Sequence, residues 1–395
     1  MTDTEPITLP LAPTDAVHPP RELLALREGR PIARVRFTDG KVGWVVTRRA
    51  TVRAVLADPR FSARQELRST WTSPVPLPPA APGMFIGMDP PDHTRYRHLL
   101  TGQFTVRRMR RLTDRITAIT GDHLDRMAAA GAPADLVRDY AVPIPALVIC
   151  EMLGVPDDAR EKFRADITAA SHQDTPPADR QRHLGAVTTL LGDLITAKRA
   201  DPGEDILGGL ITDGPDLTDA ELVNLALLLL GGGLDTTANV IALGAFTLLR
   251  DGVPTAPLTD PATSEDAVEE LLRYLPVVPG TVRSALTDVE LEGVRVAAGE
   301  SVMVSLPTAN RDPEHIADPD TLDLTRPAAG HLAFGHGVHQ CLGQQLARVE
   351  LRVALPALFR RFPDLRLAAD PADVPLRDDM VVYGVHALPV TWGPA

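Results

Sequence analysis

One cysteine, set between a glycine-rich bend and a stretch of helix-forming sequence, constrains this chain more than any other feature. It lies in His331-Leu-Ala-Phe-Gly-His-Gly-Val-His-Gln-Cys341-Leu-Gly343. Beyond it, apolar residues recur at Leu346, Val349, Val353 and Leu358 and Pro363 follows, which predicts a helix over 342–362. Cys341 then sits at a helix N-terminus, where unpaired N–H groups and the positive end of the dipole lower a thiol pKa and favour the sulfur anion. Gly335, Gly337 and Gly343 carry no Cβ, so the backbone can bend around the sulfur and a flat macrocycle can lie against it. Two other readings compete. A free cysteine is commonly a small buried hydrophobe. Zinc is the sharper rival, because His331, His336, His339 and Cys341 are crowded ligand types. Structural zinc, however, draws on two separated ligand pairs, and no C-x-x-C or H-x-x-x-H pair appears elsewhere.

A second stretch, upstream, carries its own constraint. Thr218-Asp-Ala-Glu221 reads as a capping box, and the nearly continuous apolar run 222–230 suits a helix buried through the molecule. Gly231, Gly232 and Gly233 follow, each costing about 1 kcal/mol against alanine inside a helix. Close approach of another helix is one explanation. Asp235, Thr236 and Thr237 just beyond suggest another, since a threonine hydroxyl can bond back to the preceding turn and loosen the ladder.

The pattern Phe334-Gly335-x-Gly-x-His339-x-Cys341-x-Gly343 resembles the haem-binding loop of the cytochrome P450 family, and most of the chain can be matched to bacterial members that tailor secondary metabolites. The resemblance implies a mainly α fold with smaller β lobes, a triangular prism whose long central helix crosses over haem b, with Cys341 as the axial thiolate. It implies that Asp235 relays protons and that Thr236 hydrogen-bonds dioxygen, at a local opening of the helix. It also implies a structural ion network. Glu270 and Arg273, three apart on one helical face, would be joined by Arg326, with Glu269 left as a competing carboxylate. Cations for the two haem propionates would be His93, Arg97, Arg283 and His339; many members carry tryptophan where His93 stands. The substrate pocket would draw on the loop 74–86 with Ile86, the segment 172–179, Leu229 and Gly232, Val278 and Thr281, and Val382 and Tyr383.

Composition fits this reading. Aromatic residues are 4% of the 395, against 44% hydrophobic residues in all, so the core is expected to be aliphatic. With no linker between the matched motifs, residues 1–395 read as one domain with a flexible N-terminus of about 15 residues. Runs at 33–37 and 43–47 look like paired strands, 50–57 like a helix, and 380–384 and 387–392 like strands again. Two cysteines make no disulfide framework, and Cys150 reads as core. No signal peptide or membrane run is read, which predicts a cytoplasmic monomer. The net charge of −12 argues against nucleic acid. Against that background Arg95, Arg97, Arg107, Arg108, Arg110 and Arg111 cluster, and the resemblance makes them a docking patch for an acidic ferredoxin. No dinucleotide fingerprint or flavin module is present, so electrons would come from NAD(P)H through a separate ferredoxin reductase.

The activity implied is that of a haem-thiolate monooxygenase placing one atom of O2 into a bulky apolar molecule, by hydroxylation or epoxidation, with a polyketide or macrolide as the substrate type. Oxidative coupling or desaturation on the same haem, and a non-enzymatic haem sensor, are the alternatives. The Asp235–Thr236 pair favours oxygen insertion.

Overall fold

The computed structural model describes residues 5–9, 11, 13, 15–104, 106–171, 175–275, 277–378 and 380–393; for residues 106, 107, 109–111, 168 and 171 it describes the backbone only. The axis of the molecule is one helix, Asp219–Arg250, of 32 residues. At 1.5 Å per residue it is about 48 Å long. It starts where the sequence predicts, because Thr218 accepts from the Glu221 N–H and the Glu221 carboxylate accepts from the Thr218 N–H. By length and hydropathy it could cross a membrane, a feature the sequence reading missed. Here it is a core helix: Leu222, Leu225, Ile241 and Ala245 are fully buried, and helices Pro143–Leu153, Pro177–Ala200 and Gln344–Arg361 pack on it. With neighbours on several sides it cannot be amphipathic, which is why its sequence shows a run of leucines where a surface helix would show a stripe.

A six-stranded sheet lies to one side, in the order Ile7–Thr8, Ile32–Arg36, Val42–Val46, Ser301–Ser305, Gly280–Ala285, Phe61–Ser62. The predicted early strands pair antiparallel, Arg34 opposite Trp44, and the helix after them spans Arg49–Ala57. Ile7–Thr8, inside the stretch expected to be flexible, runs parallel to Val35–Arg36. Strand Gly280–Ala285 matters most for the site, because its pairing with Ser301–Ser305 sets Arg283 opposite Val302.

The C-terminal expectation is half right. Pro389–Thr391 is a strand, between Arg366–Leu367 and Ala134–Asp135. Residues 380–384 are not a strand: the chain folds back on itself with a single bridge, Leu376 to Val385, and the Arg377 N–H donates to the Gly384 carbonyl at 2.9 Å. The helix after the cysteine spans Gln344–Arg361, starting later than predicted because Gly343 serves as its N-cap. The arrangement is mainly α with smaller β lobes, as expected.

Candidate active site

The cysteine loop closes through the Cys341 N–H, which donates to the Phe334 carbonyl at 2.9 Å. Gly335 and Gly337 have φ of 69° and 75°, the left-handed region where a side chain is strained, and a Cβ on Gly337 would lie 2.3 Å from the Leu56 carbonyl oxygen. Gly343 has φ −81°, so the conformational argument does not extend to it. The Cys341 sulfur accepts from the N–H groups of Gly343 and Gln344, the helix-terminus geometry the sequence predicts. Burial nevertheless pushes the thiol up, with those donors, Arg97 and Arg348 opposing it, so the expected lowered pKa is not what the protein alone produces. The residue is exposed by area. Its sulfur is thus open on one side while the surrounding chain encloses the rest, and a metal binding there deprotonates the thiol outright.

The histidines do not gather around the sulfur. His331 Nε2 lies 3.1 Å from Glu269, His336 feels Arg53 and Arg49, and the His339 ring lies 4.1 Å from that of His93. Zinc loses its ligand set. Phe334 is covered by the Arg348 guanidinium, 4.6 Å from its ring centre.

Four expected propionate partners meet in one corner. His93 is 2% exposed, and neither of its ring nitrogens has a partner. Arg97 is close enough to Cys341 for their charges to interact. Arg283 is buried on its strand, donating to Thr281 Oγ1 at 3.0 Å and to the Val282 carbonyl at 3.1 Å. Burial, then Arg68, pushes its pKa down to about 10. Burial, then Arg283, His93, Arg97 and Arg68, pushes His339 down to about 3. Arg68 was not singled out from the sequence. Among the described residues no carboxylate pairs with Arg68, Arg97 or Arg283. Buried polar groups are ordinarily satisfied, so two orphaned imidazole nitrogens beside uncompensated guanidiniums fit a ligand that brings carboxylates. Haem, with two propionates, fits this corner, and the sulfur at Cys341 fits its iron.

On the central helix, Gly231 and Gly232 have nothing within 4 Å of where a Cβ would stand, so no neighbouring helix explains them. The Thr236 hydroxyl donates to the Gly232 carbonyl at 2.7 Å, the back-bond the sequence suggests. The helix is not broken there, so the expected opening is confined to that added bond. Asp235 is held more firmly than the sequence reveals. Arg377, from the folded-back C-terminal segment, donates to both of its oxygens at 2.7 and 3.1 Å, and Asn239 Nδ2 adds a third contact at 3.1 Å. Glu350 was also missed. It is 1% exposed on the cysteine helix, against Thr237, and burial pushes its carboxyl up to about 8.

The ion network forms as expected: Glu270 accepts from Arg273 at 2.6 and 2.8 Å and from Arg326 at 3.2 Å. Glu269 belongs to a separate network. Burial works against its charge, yet His331 and Arg348 hold its carboxyl down at about 2.

A cavity of about 550 Å³ opens beside Asp235, walled by Leu11, Val17, Trp71, Met303, Val382 and Tyr383 among others. Ile86, Leu229, Gly232, Val278 and Thr281 do not line it. Ile86 is 57% exposed, Leu229 and Val278 pack against the main core, and the Thr281 hydroxyl is taken by Arg283. The Tyr383 hydroxyl donates to the Ala16 carbonyl at 3.0 Å, so it is already engaged. Residues 172–174 of the expected pocket lie outside the described residues.

Two arginines of the expected docking patch already have partners within the molecule. Arg95 pairs with Glu221 and Asp216, and Arg108 donates to Gln103 and to the Glu204 carbonyl. Intramolecular acceptors take up both. The side chains of Arg107, Arg110 and Arg111 lie outside the described residues.

The cytochrome P450 family profile matches residues 264–380. Cytochrome P450 105C1 of a Streptomyces species is 48% identical over 394 residues, covering 99% of this chain and 100% of the relative. The vitamin D(3) 25-hydroxylase of Pseudonocardia autotrophica is 42% identical, covering 94% and 93%. The crystal structure of CYP105P1 in complex with filipin I superposes with a TM-score of 0.90 at 40% identity, covering 98% of this chain and 99% of that one.

Proposed function

Because the chain belongs to the cytochrome P450 family and is therefore a haem-thiolate monooxygenase using O2, we propose that it oxygenates a bulky apolar natural product of the polyketide or macrolide type. Haem, when bound, supplies the reductive activation of dioxygen, with electron donation from the thiolate favouring O–O cleavage. The observation that carries the proposal is the exposed Cys341 sulfur, braced by the Gly343 and Gln344 N–H groups. Those two donors orient it. His93, Arg97, Arg283 and His339 would hold the propionates, and Phe334 and Gly335 complete the loop. The three-residue network of Glu270, Arg273 and Arg326 braces the fold beneath and takes no part in the chemistry.

Proton delivery is assigned to Asp235 and Thr236. Asp235 borders the cavity, and Thr236 follows it on the helix. While donating to Gly232, the Thr236 oxygen keeps acceptor capacity, so it can hold a donor supplied from the Asp235 side. Arg377 and Asn239 fix that carboxylate in place.

The cavity volume lies in the range of small-molecule sites. Its aliphatic and aromatic wall favours an apolar ligand, and a relative named for vitamin D(3) and a similar structure in complex with filipin I support that reading. Electrons come from NAD(P)H through a ferredoxin reductase and a ferredoxin. The whole chain acts as one monomeric domain in the cytoplasm, a reading supported by a core running from Val17 to Val390 and by two unpaired cysteines.

The test is the absorption spectrum of the reduced, carbon-monoxide-bound holoprotein, followed by a ligand panel scored for spin-state change and NAD(P)H-driven product with ferredoxin and reductase added. A thiolate signature lost in Cys341→Ala is expected. The same spectrum in both proteins overturns the assignment.

A further inference from the structure

Among the described residues, buried arginines come with carboxylates, except in one place. Arg273 sits on Glu270, Arg311 on Asp320 and Arg377 on Asp235. Around the corner formed by His93 and His339, three guanidiniums stand without an ion pair among the described residues: Arg97, Arg283 and Arg68. The sequence motif accounts for the first two. Arg68 comes from the loop after strand Phe61–Ser62, and its Nη1 donates to the Val282 carbonyl at 3.2 Å, the same oxygen that Arg283 Nη1 reaches at 3.1 Å. Two like charges sharing one acceptor repel each other. Their proximity costs free energy unless an anion lies against both.

The charge count points to which anion. Leaving the imidazoles aside, three guanidiniums contribute three positive charges. One carboxylate, Asp89, acts on both His93 and Arg283, and it is held nearby by Ser62 Oγ at 2.5 Å and the Ala63 N–H at 2.8 Å. With the charge of the Cys341 sulfur balanced by the iron it would hold, two positive charges remain. A dicarboxylate neutralises them, and resting on the haem reading above, that dicarboxylate is the propionate pair.

We propose that Arg68 is a third guanidinium anchor for the haem propionates, shared with Arg283. The position has a further consequence, because the next residues continue into the cavity wall: the Ser69 N–H donates to Ser301 Oγ at 2.8 Å, and Trp71 to Pro74 line the cavity. Arg68 therefore ties the seating of haem to the segment that faces substrate.

The test compares holoenzymes of wild type, Arg68→Gln, Arg68→Lys and Arg64→Gln, the last an exposed arginine paired with Glu66. The readouts are the rate of haem transfer to apomyoglobin and the haem reduction potential. Loss of one charged hydrogen bond predicts transfer about ten- to a hundredfold faster in Arg68→Gln. Removing a positive charge also disfavours the reduced state, so the potential should fall in Arg68→Gln and recover in Arg68→Lys, with Arg64→Gln like wild type. Wild-type transfer rate and potential in Arg68→Gln overturn the proposal. So does weakened binding of carboxylate-bearing ligands in Arg68→Gln with haem retention unchanged, which would make Arg68 a substrate contact. A wild type lacking the thiolate spectrum instead overturns the haem reading itself, whatever the variants do.

Discussion

Glu350→Gln is expected to change how stability depends on pH. Glu350 is buried against Thr237 on the cysteine helix, and its carboxyl is pushed up from 4.5 to about 8 by burial. The folded protein therefore keeps this proton where the unfolded chain has lost it. With the folded pKa raised, the stabilising contribution is complete below pH 4.5 and is lost as pH rises towards 8. At 1.36 kcal/mol per unit, the wild type should lose about 4 kcal/mol relative to the glutamine variant between pH 5 and pH 8. Glutamine has the same shape, keeps a polar partner for Thr237 and does not titrate, so other groups cancel in the difference. Urea denaturation of both holoproteins at pH 5, 6.5 and 8, followed by far-ultraviolet circular dichroism, measures it. A stability difference that stays constant across the three pH values would refute the reasoning, because it would mean that Glu350 is ionised, or equally protonated, in both states.

Three further outcomes are expected. Thr236→Ala should still consume NAD(P)H but release mostly peroxide, lowering product per reductant about tenfold, the equivalent of one hydrogen bond; tight coupling in that variant would contradict the assigned role. Arg273→Met leaves buried Glu270 with Arg326 and the Asp323 N–H and should destabilise by about 3–5 kcal/mol, read as a lower urea midpoint. Gly384→Ala puts a Cβ 1.8 Å from Asn239 Oδ1, so either Asn239 moves off Asp235 or the C-terminal segment shifts. A loss of about 1–3 kcal/mol in thermal stability follows, with poorer coupling if Asn239 is the one that gives way.

Much of this site is written locally. The capping box at Thr218, the spacing of Glu270 and Arg273, and the glycines at 335 and 337 are each decided within about four residues, and all three features appear in the structure where the sequence puts them. The segment 380–384 misled because its apolar residues suit a strand, while pairing partners are supplied by the rest of the fold, and here there is only one bridge. The arginine cluster shows a related limit of local reading. A cation count along the chain does not say that Glu221 and Asp216 already hold Arg95, or that the Glu204 carbonyl holds Arg108.

From the chain alone came the cysteine loop before the helix Gln344–Arg361, the helix that crosses the core and four basic residues that gather in one corner, because hydrogen-bond capping, backbone handedness and helical periodicity act between near neighbours. The tertiary structure alone decided the protonation of Glu350, the clamp of Arg377 on Asp235 across 142 residues, and the arrival of Arg68 beside Arg283. Electrostatic fields and burial are set by whatever is close in space, and closeness in space is what a linear sequence does not record.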